Sequence, residues 1–301
     1  MSELTHLSLV DAAEGIRSGE FSSHELTQAV LSRIEALGSD LNCFIDVWAE
    51  RSLAAARAAD DARAKPAPLG PLHGVPLAHK DMFYREGTTC TCGSAIRREF
   101  VPGMTATVLE RLDAAGALHV GALNMSEFAF GPTGHNFHFG PARNPWHRDH
   151  VSGGSSSGSG VAVGARLVFG ALGSDTGGSI RLPAAACGVV GLKPTQTRVS
   201  RYGAMGLSFS LDNIGPLTRT VADAARILDV IAGHDPRDGT SARDEAGGYE
   251  AATRNPSVKG LRVGRPENHY FDRVTPEVAA CLDRALATLE SLGAEIVPVT
   301  V

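Results

Sequence analysis

The sequence predicts an α/β fold, in which a mixed, largely parallel β-sheet is covered by helices on both faces. Along most of the 301 residues, short apolar segments of strand length alternate with longer segments of helical period. This alternation is typical of sheets whose strands are joined by helices. The chain is long enough to bury one large core, and no internal repeat or low-complexity tract divides it. We therefore predict a single domain over 1–301.

The N-terminal region, 1–65, is predicted to be helical, with clear start signals. Ser8 precedes Asp11 by the spacing of a capping box. Ser22 stands in the same relation to Glu25. No residue of this region is expected to carry chemistry. Helices are predicted over 9–18, 23–37 and 47–65.

The region 66–233 is predicted to be the catalytic core. The apolar run VPLAH leads to Lys80 and predicts a strand that ends at this lysine. Two glycine-serine loops, 153–160 and 173–179, each lie where a predicted helix begins, and a helix start presents unpaired N–H groups and a partial positive charge. Helices are predicted over 105–115, 157–166, 179–186 and 220–232, strands over 117–123, 168–173 and 187–192, and a short helix or turn over 124–130. After this core we predict a strand over 261–265, a helix over 276–292 and a strand over 294–301.

Composition argues against several classes of partner. The net charge is −5 and the basic residues are scattered, so neither nucleic acid nor an anionic membrane is an expected partner. No apolar run reaches the length of a membrane span, and the N-terminus lacks the layout of a signal peptide. The five cysteines are irregularly spaced, which favours a reducing compartment. We predict a cytoplasmic protein, and scarce lysine beside abundant alanine and arginine suggests a bacterial source.

The two glycine-serine loops allow three kinds of chemistry. The segment GSSSG matches the G-x-S-x-G nucleophile elbow with Ser156 as nucleophile, but the residues before it make a poor strand. A phosphate-binding loop would need the G-K-[ST] signature, and neither loop contains a lysine. The third possibility is a serine nucleophile that a lysine activates.

A lysine acts as a base only when its pKa is low enough to leave it neutral, and burial has that effect. Lys80 is favoured among the four lysines because an apolar run leads to it, whereas Lys65 and Lys259 lie in polar surroundings. Lys193 follows a predicted strand and is a rival. The simpler alternative is a solvated Lys80 that pairs with Asp81.

The histidines of the segment 131–154 suggest a metal site only weakly. They form two HxxH pairs in a loop rich in proline and glycine, where no helical pattern would aim both rings at one ion. We expect no metal. The four histidines are His135, His138, His147 and His150.

The motifs GVPLAHKD, GGSSSGSG, GSDTGGSIRLPAAACGVVGLKPT and SLDNIGPLTRTVADAA resemble the amidase signature family in composition, order and spacing. The resemblance runs from about Leu7 to Val301 and implies the amidase signature fold. It also implies a Ser–cis-Ser–Lys triad. Ser179 would be the nucleophile, Ser155 the bridging serine after a cis peptide bond, and Lys80 the base.

The resemblance implies further roles around this triad. The backbone N–H groups of Thr176, Gly177, Gly178 and Ser179 would stabilise an oxyanion. Ala129, within the turn 124–131, would line the acyl pocket. The residues that would hold the loops in place are Asp175, Arg181 and Lys193.

The implied function is that of an amidohydrolase, which cleaves a small carboxamide to a carboxylate and ammonia or an amine without a cofactor. Association as a homodimer is left open. One alternative is the glutaminase-type A subunit of a Glu-tRNA(Gln)/Asp-tRNA(Asn) amidotransferase. Ser152 and Ser157 depart from the usual pattern, without touching a triad position. Full members continue beyond residue 301, so the C-terminal part is expected to be incomplete, and a non-catalytic remnant is the alternative of another class.

Overall fold

The computed structural model describes residues 3–301, which form two compact units, 3–250 and 251–301. The first unit contains a six-stranded sheet and the second a two-stranded sheet. The helices are α1 Leu9–Ser18, α2 Ser23–Leu41, α3 Ala49–Arg63, α4 Thr107–Ala114, α5 Ser157–Gly164, α6 Arg181–Cys187, α7 Val221–Ile231, α8 Tyr249–Thr253 and α9 Pro276–Ser291. The strands are β1 Phe44–Val47, β2 Pro76–Lys80, β3 Leu118–Leu123, β4 Gly170–Asp175, β5 Val190–Gly191, β6 Asn213–Thr218, β7 Arg262–Pro266 and β8 Glu295–Val299.

The helix starts predicted from capping signals are confirmed. The Ser8 side chain accepts a hydrogen bond from the N–H of Asp11. Ser22 and Glu25 make both hydrogen bonds of a capping box. Such caps satisfy N–H groups that the first turn of a helix leaves unpaired. α1 and α2 therefore begin where the sequence predicts.

The six-stranded sheet is mixed, with the order β1–β3–β2–β4–β6–β5. Its centre is parallel, because β2 pairs in parallel with both β3 and β4, while the remaining pairs are antiparallel. α5 packs against β4, and α7 packs against β6. The predicted mixed α/β fold is confirmed, and its parallel centre brings the carboxyl ends of β2 and β4 to one edge.

Both central strands are buried along their whole length. The largest buried apolar side chains of the core include Leu9, Phe83, Leu109 and Phe169. A side chain at the end of either strand therefore enters an environment with little water, unless it points out of the sheet edge.

Two strands of the sheet differ from the prediction. β1 is not predicted, and only its last residue, Val47, falls within the helix predicted over 47–65. β6 is not predicted at all, because the Gly215-Pro216 pair in its middle is typical of a turn. The structure explains why residue 215 is a glycine, since a Cβ on Gly215 would lie 2.1 Å from the Leu192 carbonyl oxygen. Close approach between β6 and the segment after β5 thus requires a residue that also weakens the strand pattern.

The second unit is a βαβ element. β7 and β8 pair in parallel, with Arg262 opposite Glu295 and Pro266 opposite Val299, and α9 connects them. The three predicted elements of this region are confirmed. The prediction of a single domain over 1–301 stays a prediction, beside the two units that the structure shows.

Candidate active site

Lys80 ends β2 and is completely buried. Its Nζ lies 2.7 Å from Ser155 Oγ and 2.8 Å from Ser174 Oγ. Burial lowers the pKa of the amine from 10.5 to about 7, although nearby acidic groups, Asp175 first, act to raise it. The amine is therefore partly neutral at neutral pH, which a general base requires.

The alternative of a solvated Lys80–Asp81 pair is wrong. The Asp81 carboxylate accepts hydrogen bonds from the backbone N–H and the hydroxyl of Thr91. Burial raises the pKa of this carboxyl to about 6, although those hydrogen bonds oppose the rise. Asp81 is the first residue after β2, and the two neighbours bond to different partners. Lys80 faces the serines, while Asp81 faces the loop that follows β2.

Ser155 lies in the first glycine-serine loop and is completely buried. The peptide bond between Gly154 and Ser155 is cis, as the resemblance implies. Ser126 donates its N–H to the Ser155 carbonyl at 3.1 Å. A Cβ on Gly154 would lie 2.6 Å from the carbonyl oxygen of Gly131. The loop therefore packs closely against the turn 126–131, and only glycine fits at 154 without displacing it.

Ser179 lies in the second loop, between β4 and α6, and is half-buried. Its carbonyl accepts the N–H of Ser156 at 3.2 Å, so the two glycine-serine loops are joined at this point. Within residues 3–301, the Ser179 hydroxyl makes no hydrogen bond. The structure thus brings Lys80, Ser155 and Ser179 to one edge of the sheet, with the Lys80–Ser155 contact formed.

The second loop is held by the carboxylate of Asp175, the last residue of β4. This buried carboxylate accepts the N–H groups of Gly178 at 2.8 Å and Ile180 at 3.1 Å. It also pairs with the Arg181 side chain, at 2.9 Å. Burial alone would raise the Asp175 pKa, but these hydrogen bonds, first those from Arg181, hold it below its ordinary value. These contacts are the ones expected if Asp175 and Arg181 hold the loop in place, as predicted.

One of the four N–H groups predicted to bind an oxyanion, that of Gly178, already has a partner in the structure. Because Gly178 donates its N–H to Asp175, it is not free to bind an oxyanion. The N–H groups of Thr176, Gly177 and Ser179 have no partner within the described chain and remain available. The set of candidate donors is therefore reduced to three.

The turn around Ala129 lies beside the bridging serine. Ala129 is buried and has a positive φ of 60°. Its N–H donates to the Ser126 carbonyl at 2.9 Å, and Ser126 in turn holds Ser155. Contact of this turn with an acyl group stays a prediction.

Lys193 is not joined to the serines. Its Nζ donates to the carbonyl of Pro194 at 2.8 Å, beyond β5. The structure shows no hydrogen bond or ion pair between Lys193 and the described residues of the two loops. Of the two lysines that sequence reasoning left open, only Lys80 has the position of a base.

The two other interpretations of the serines and histidines find no support in the geometry. Ser156 follows irregular backbone, and its buried hydroxyl donates to the Ser174 carbonyl, whereas an elbow requires a strand before the nucleophile. His138 contacts Glu127 at 2.9 Å. Across residues 3–301, no three His, Cys, Asp or Glu side chains are grouped as a metal site requires.

Sequence reasoning missed two residues of the site as functional candidates. Ser174 stands out in the sequence only as one hydroxyl of the second loop, yet its Oγ is a direct partner of Lys80. Asp212 accepts a hydrogen bond from Thr176 Oγ1 at 2.5 Å, although 36 positions separate the two residues. Position at the end of β4 could have indicated Ser174, but no signal in the sequence indicates Asp212.

The fold and the buried lysine–serine site together belong to a known family. The sequence model of the Amidase family matches residues 25–301, so the chain belongs to this family. The A subunit of the glutamyl-tRNA(Gln) amidotransferase of Moorella thermoacetica is 49% identical over 292 residues, which are 97% of this chain and 60% of that protein.

Solved structures agree with this assignment. The peptide amidase of Stenotrophomonas maltophilia matches with a TM-score of 0.90 and 36% identity, over 97% of this chain and 62% of that one. The A subunit of the glutamyl-tRNA(Gln) amidotransferase of Thermotoga maritima matches with a TM-score of 0.84 and 35% identity, over 99% and 62%. The chain thus spans about three fifths of the length of these relatives. No helix within residues 3–301 is long and apolar enough to cross a membrane.

Proposed function

We propose that the chain carries the catalytic residues of an amidohydrolase in which Ser179 attacks the carbonyl carbon of a carboxamide. The observation that carries the proposal is the buried Lys80 amine, 2.7 Å from the hydroxyl of Ser155. A completely buried amine cannot act as a solvated surface charge, and its lowered pKa suits a general base at neutral pH.

The proposed reaction begins with a proton relay. Neutral Lys80 takes the proton of the Ser155 hydroxyl, and Ser155 takes the proton of the Ser179 hydroxyl as the Ser179 oxygen bonds to the carbonyl carbon. Ser174 fixes the direction of the relay. The Nζ of Lys80 donates an N–H to the Ser174 oxygen, so the nitrogen lone pair is left to accept the proton of Ser155.

The negative charge of the tetrahedral intermediate falls on the former carbonyl oxygen. The free N–H groups of Thr176, Gly177 and Ser179 are the donors proposed to stabilise it. Each such donor is worth about 3 kcal/mol where single donors have been removed from other enzymes. The C–N bond then breaks, the relay returns the proton to the leaving nitrogen, and ammonia or an amine departs.

Water completes the cycle by the same relay. Lys80 and Ser155 remove a proton from water, the new oxygen bonds to the acyl carbon, and the bond to Ser179 breaks. The acyl group leaves as the carboxylic acid, which loses its remaining proton to solvent, and the relay returns the proton taken from water to Ser179. Lys80 and Ser155 carry out each proton transfer at the reacting bonds of this scheme, and the proposal includes no metal or cofactor.

Of the two roles that this chemistry allows, we favour that of a glutaminase-type A subunit of a tRNA-dependent amidotransferase. The 49% identity to such a protein, over 97% of this chain, supports this choice. In that role the chain would act with partner subunits, and glutamine would be the carboxamide. A cytoplasmic location is part of the proposal, and the five free thiols support it.

A stand-alone amidase that acts on another small carboxamide is the second candidate. The fold favours it slightly, since the TM-score to the peptide amidase is 0.90 and that to the amidotransferase protein is 0.84. Ammonia release from glutamine, compared with release from a simple carboxamide such as propionamide, separates the two roles. Faster release from glutamine would favour the amidotransferase role, and the reverse would favour the amidase.

Labelling of the 301-residue chain with a fluorophosphonate tests the shared chemistry. The Ser179 oxygen would bond to phosphorus, the P–F bond would break, and fluoride would leave. We expect a single label on Ser179 by peptide mass analysis, lost in Ser179→Ala and in Lys80→Met. The matched controls are Lys193→Met and Ser39→Ala, which should keep the label. A folded wild-type chain that stays unlabelled would contradict the proposal and favour a non-catalytic remnant.

A further inference from the structure

The residues before β6 are tied to the candidate oxyanion loop by one carboxylate. Asp212 Oδ1 accepts the hydroxyl of Thr176 at 2.5 Å. Its Oδ2 accepts the N–H groups of Leu207 at 2.8 Å and Ser208 at 2.9 Å. Three donors therefore hold the half-buried Asp212 side chain, one just after β4 and two in the segment before β6.

Thr176 is the first residue after β4 and the first of the three free candidate donors. Its backbone N–H can serve an oxyanion only if the residue keeps its orientation, and its hydroxyl is fixed by Asp212 alone among the described residues. On the β6 side, Asn213 pairs with Asp175, so the carboxylate of Asp212 starts from a fixed position in the ladder. The contact therefore orients Thr176 from a rigid base.

Asp212 also acts on Lys80 through its charge. The ionisable groups that act on the lysine from the surrounding elements are Asp175 at the end of β4, Cys92 in the loop after β2, and Asp212 before β6. All three favour the protonated amine, whereas burial opposes it. Arg181 neutralises the charge of Asp175 by pairing with it, but no arginine or lysine within the described chain pairs with Asp212.

We propose that Asp212 is a positioning residue, which fixes Thr176 at the start of the oxyanion loop and adds to the negative charge near Lys80. This inference rests on the proposed function, because it assigns a task to Asp212 in the same reaction. The two tasks are separable, since a change at Thr176 removes the hydrogen bond and leaves the charge in place. A change of Asp212 to asparagine removes the charge and keeps an oxygen that the loop N–H groups can reach.

The test is the rate of fluorophosphonate labelling of the full chain between pH 5 and pH 9. Thr176→Val should slow labelling about tenfold or more at every pH, without moving the acid limb of the profile, because the phosphoryl oxygen of the probe occupies the oxyanion position. Thr176→Ser should restore most of the rate. Asp212→Asn should slow labelling and also move the acid limb to lower pH, since the lysine loses a neighbour that favours its protonated form.

Asp229→Asn is the matched control. The Asp229 carboxylate is also half-buried and accepts two backbone N–H groups, those of Tyr249 and Glu250, at 2.9 Å each. It is not among the groups that act on Lys80. Asp229→Asn should therefore change the thermal midpoint of unfolding without changing the labelling profile.

The outcomes separate this inference from the proposed function. If wild type is labelled at Ser179 and Asp212→Asn has the profile of Asp229→Asn, the inference is wrong while the proposed function stands. The inference is equally wrong if Asp212→Asn lowers the rate but leaves the acid limb in place, because loss of order alone would do that. If wild type itself is not labelled, the proposed function is wrong, and the inference with it.

Discussion

The amine of Lys80 and the hydroxyl of Ser155 lie 2.7 Å apart in a part of the protein that water does not reach. The two residues are 75 positions apart in the chain. Lys80 stands at the end of β2, whereas Ser155 belongs to a loop that packs on the turn 126–131. The parallel pairing of β2 with β4 and the close approach of that turn create the contact.

The rate of Ser179 labelling should rise with pH through about pH 7. Burial places the pKa of Lys80 near that value, and only the neutral amine can accept a proton. The neutral fraction grows about tenfold between pH 6 and pH 8, so the rate should grow by a similar factor. A stopped-time labelling series over this range measures it. A rate that is flat between pH 6 and pH 8 would contradict Lys80 as the base.

Lys80→Met should remove a pH dependence of stability. The native pKa, about 7, lies below the ordinary 10.5, so the unfolded chain binds more protons between these values, and the free energy of unfolding rises with pH across that window. Methionine does not ionise and lacks this dependence. Chemical denaturation at pH 7 and pH 10 should therefore show wild type gaining a few kcal/mol more than Lys80→Met. Equal gains in both proteins would sink the idea.

Asp175→Asn should destabilise the first unit strongly. The carboxylate is buried and accepts backbone N–H groups of the second loop together with the Arg181 side chain. An asparagine offers one acceptor oxygen, and its amide would face donors, so we expect a loss of about 2–4 kcal/mol.

Arg181→Met is the comparison for this prediction, because it removes the other partner of the pair. The Arg181 side chain is 54% exposed, so its loss should cost about 1 kcal/mol or less. Urea unfolding of both variants gives the two values. A larger loss for Arg181→Met than for Asp175→Asn would show that the carboxylate is not the centre of the network.

Gly154→Ala should lower both stability and labelling. The added Cβ would lie 2.6 Å from the Gly131 carbonyl oxygen and 2.8 Å from the Gly134 nitrogen, and backbone atoms cannot easily move aside. We expect a loss of about 2 kcal/mol and a displaced Ser155. Gly103→Ala is the control, because no atom lies within 4 Å of its Cβ. If thermal unfolding gave equal midpoints for the two variants, the packing argument would be wrong.

Much of the fold could be predicted from local patterns. The capping pairs at Ser8 and Ser22 begin helices because their hydrogen bonds close within four residues. β2 was predicted from an apolar run, and burial is the most favourable outcome for such a run. β6 was not predicted because its Gly215-Pro216 pair is typical of a turn. The glycine is required by close contact with the Leu192 carbonyl, which the local sequence around β6 does not reveal.

The candidate site divides in the same way. Residue types and spacing, together with the family resemblance, were enough to select Lys80, Ser155 and Ser179. They could not show that Gly178 donates its N–H to Asp175, since that depends on how the loop turns after β4.

The sequence by itself determined most of the helices and strands, though not β1 or β6, and which of four lysines arrives through an apolar run. Only the tertiary structure decided that this lysine contacts Ser155 and Ser174, and that Asp212 holds Thr176 from 36 positions away. The physical reason is the distance along the chain between the groups that interact. Caps and strand patterns depend on neighbours a few residues apart, whereas the pKa of a buried amine and the direction of a loop depend on groups that only the folded sheet brings together.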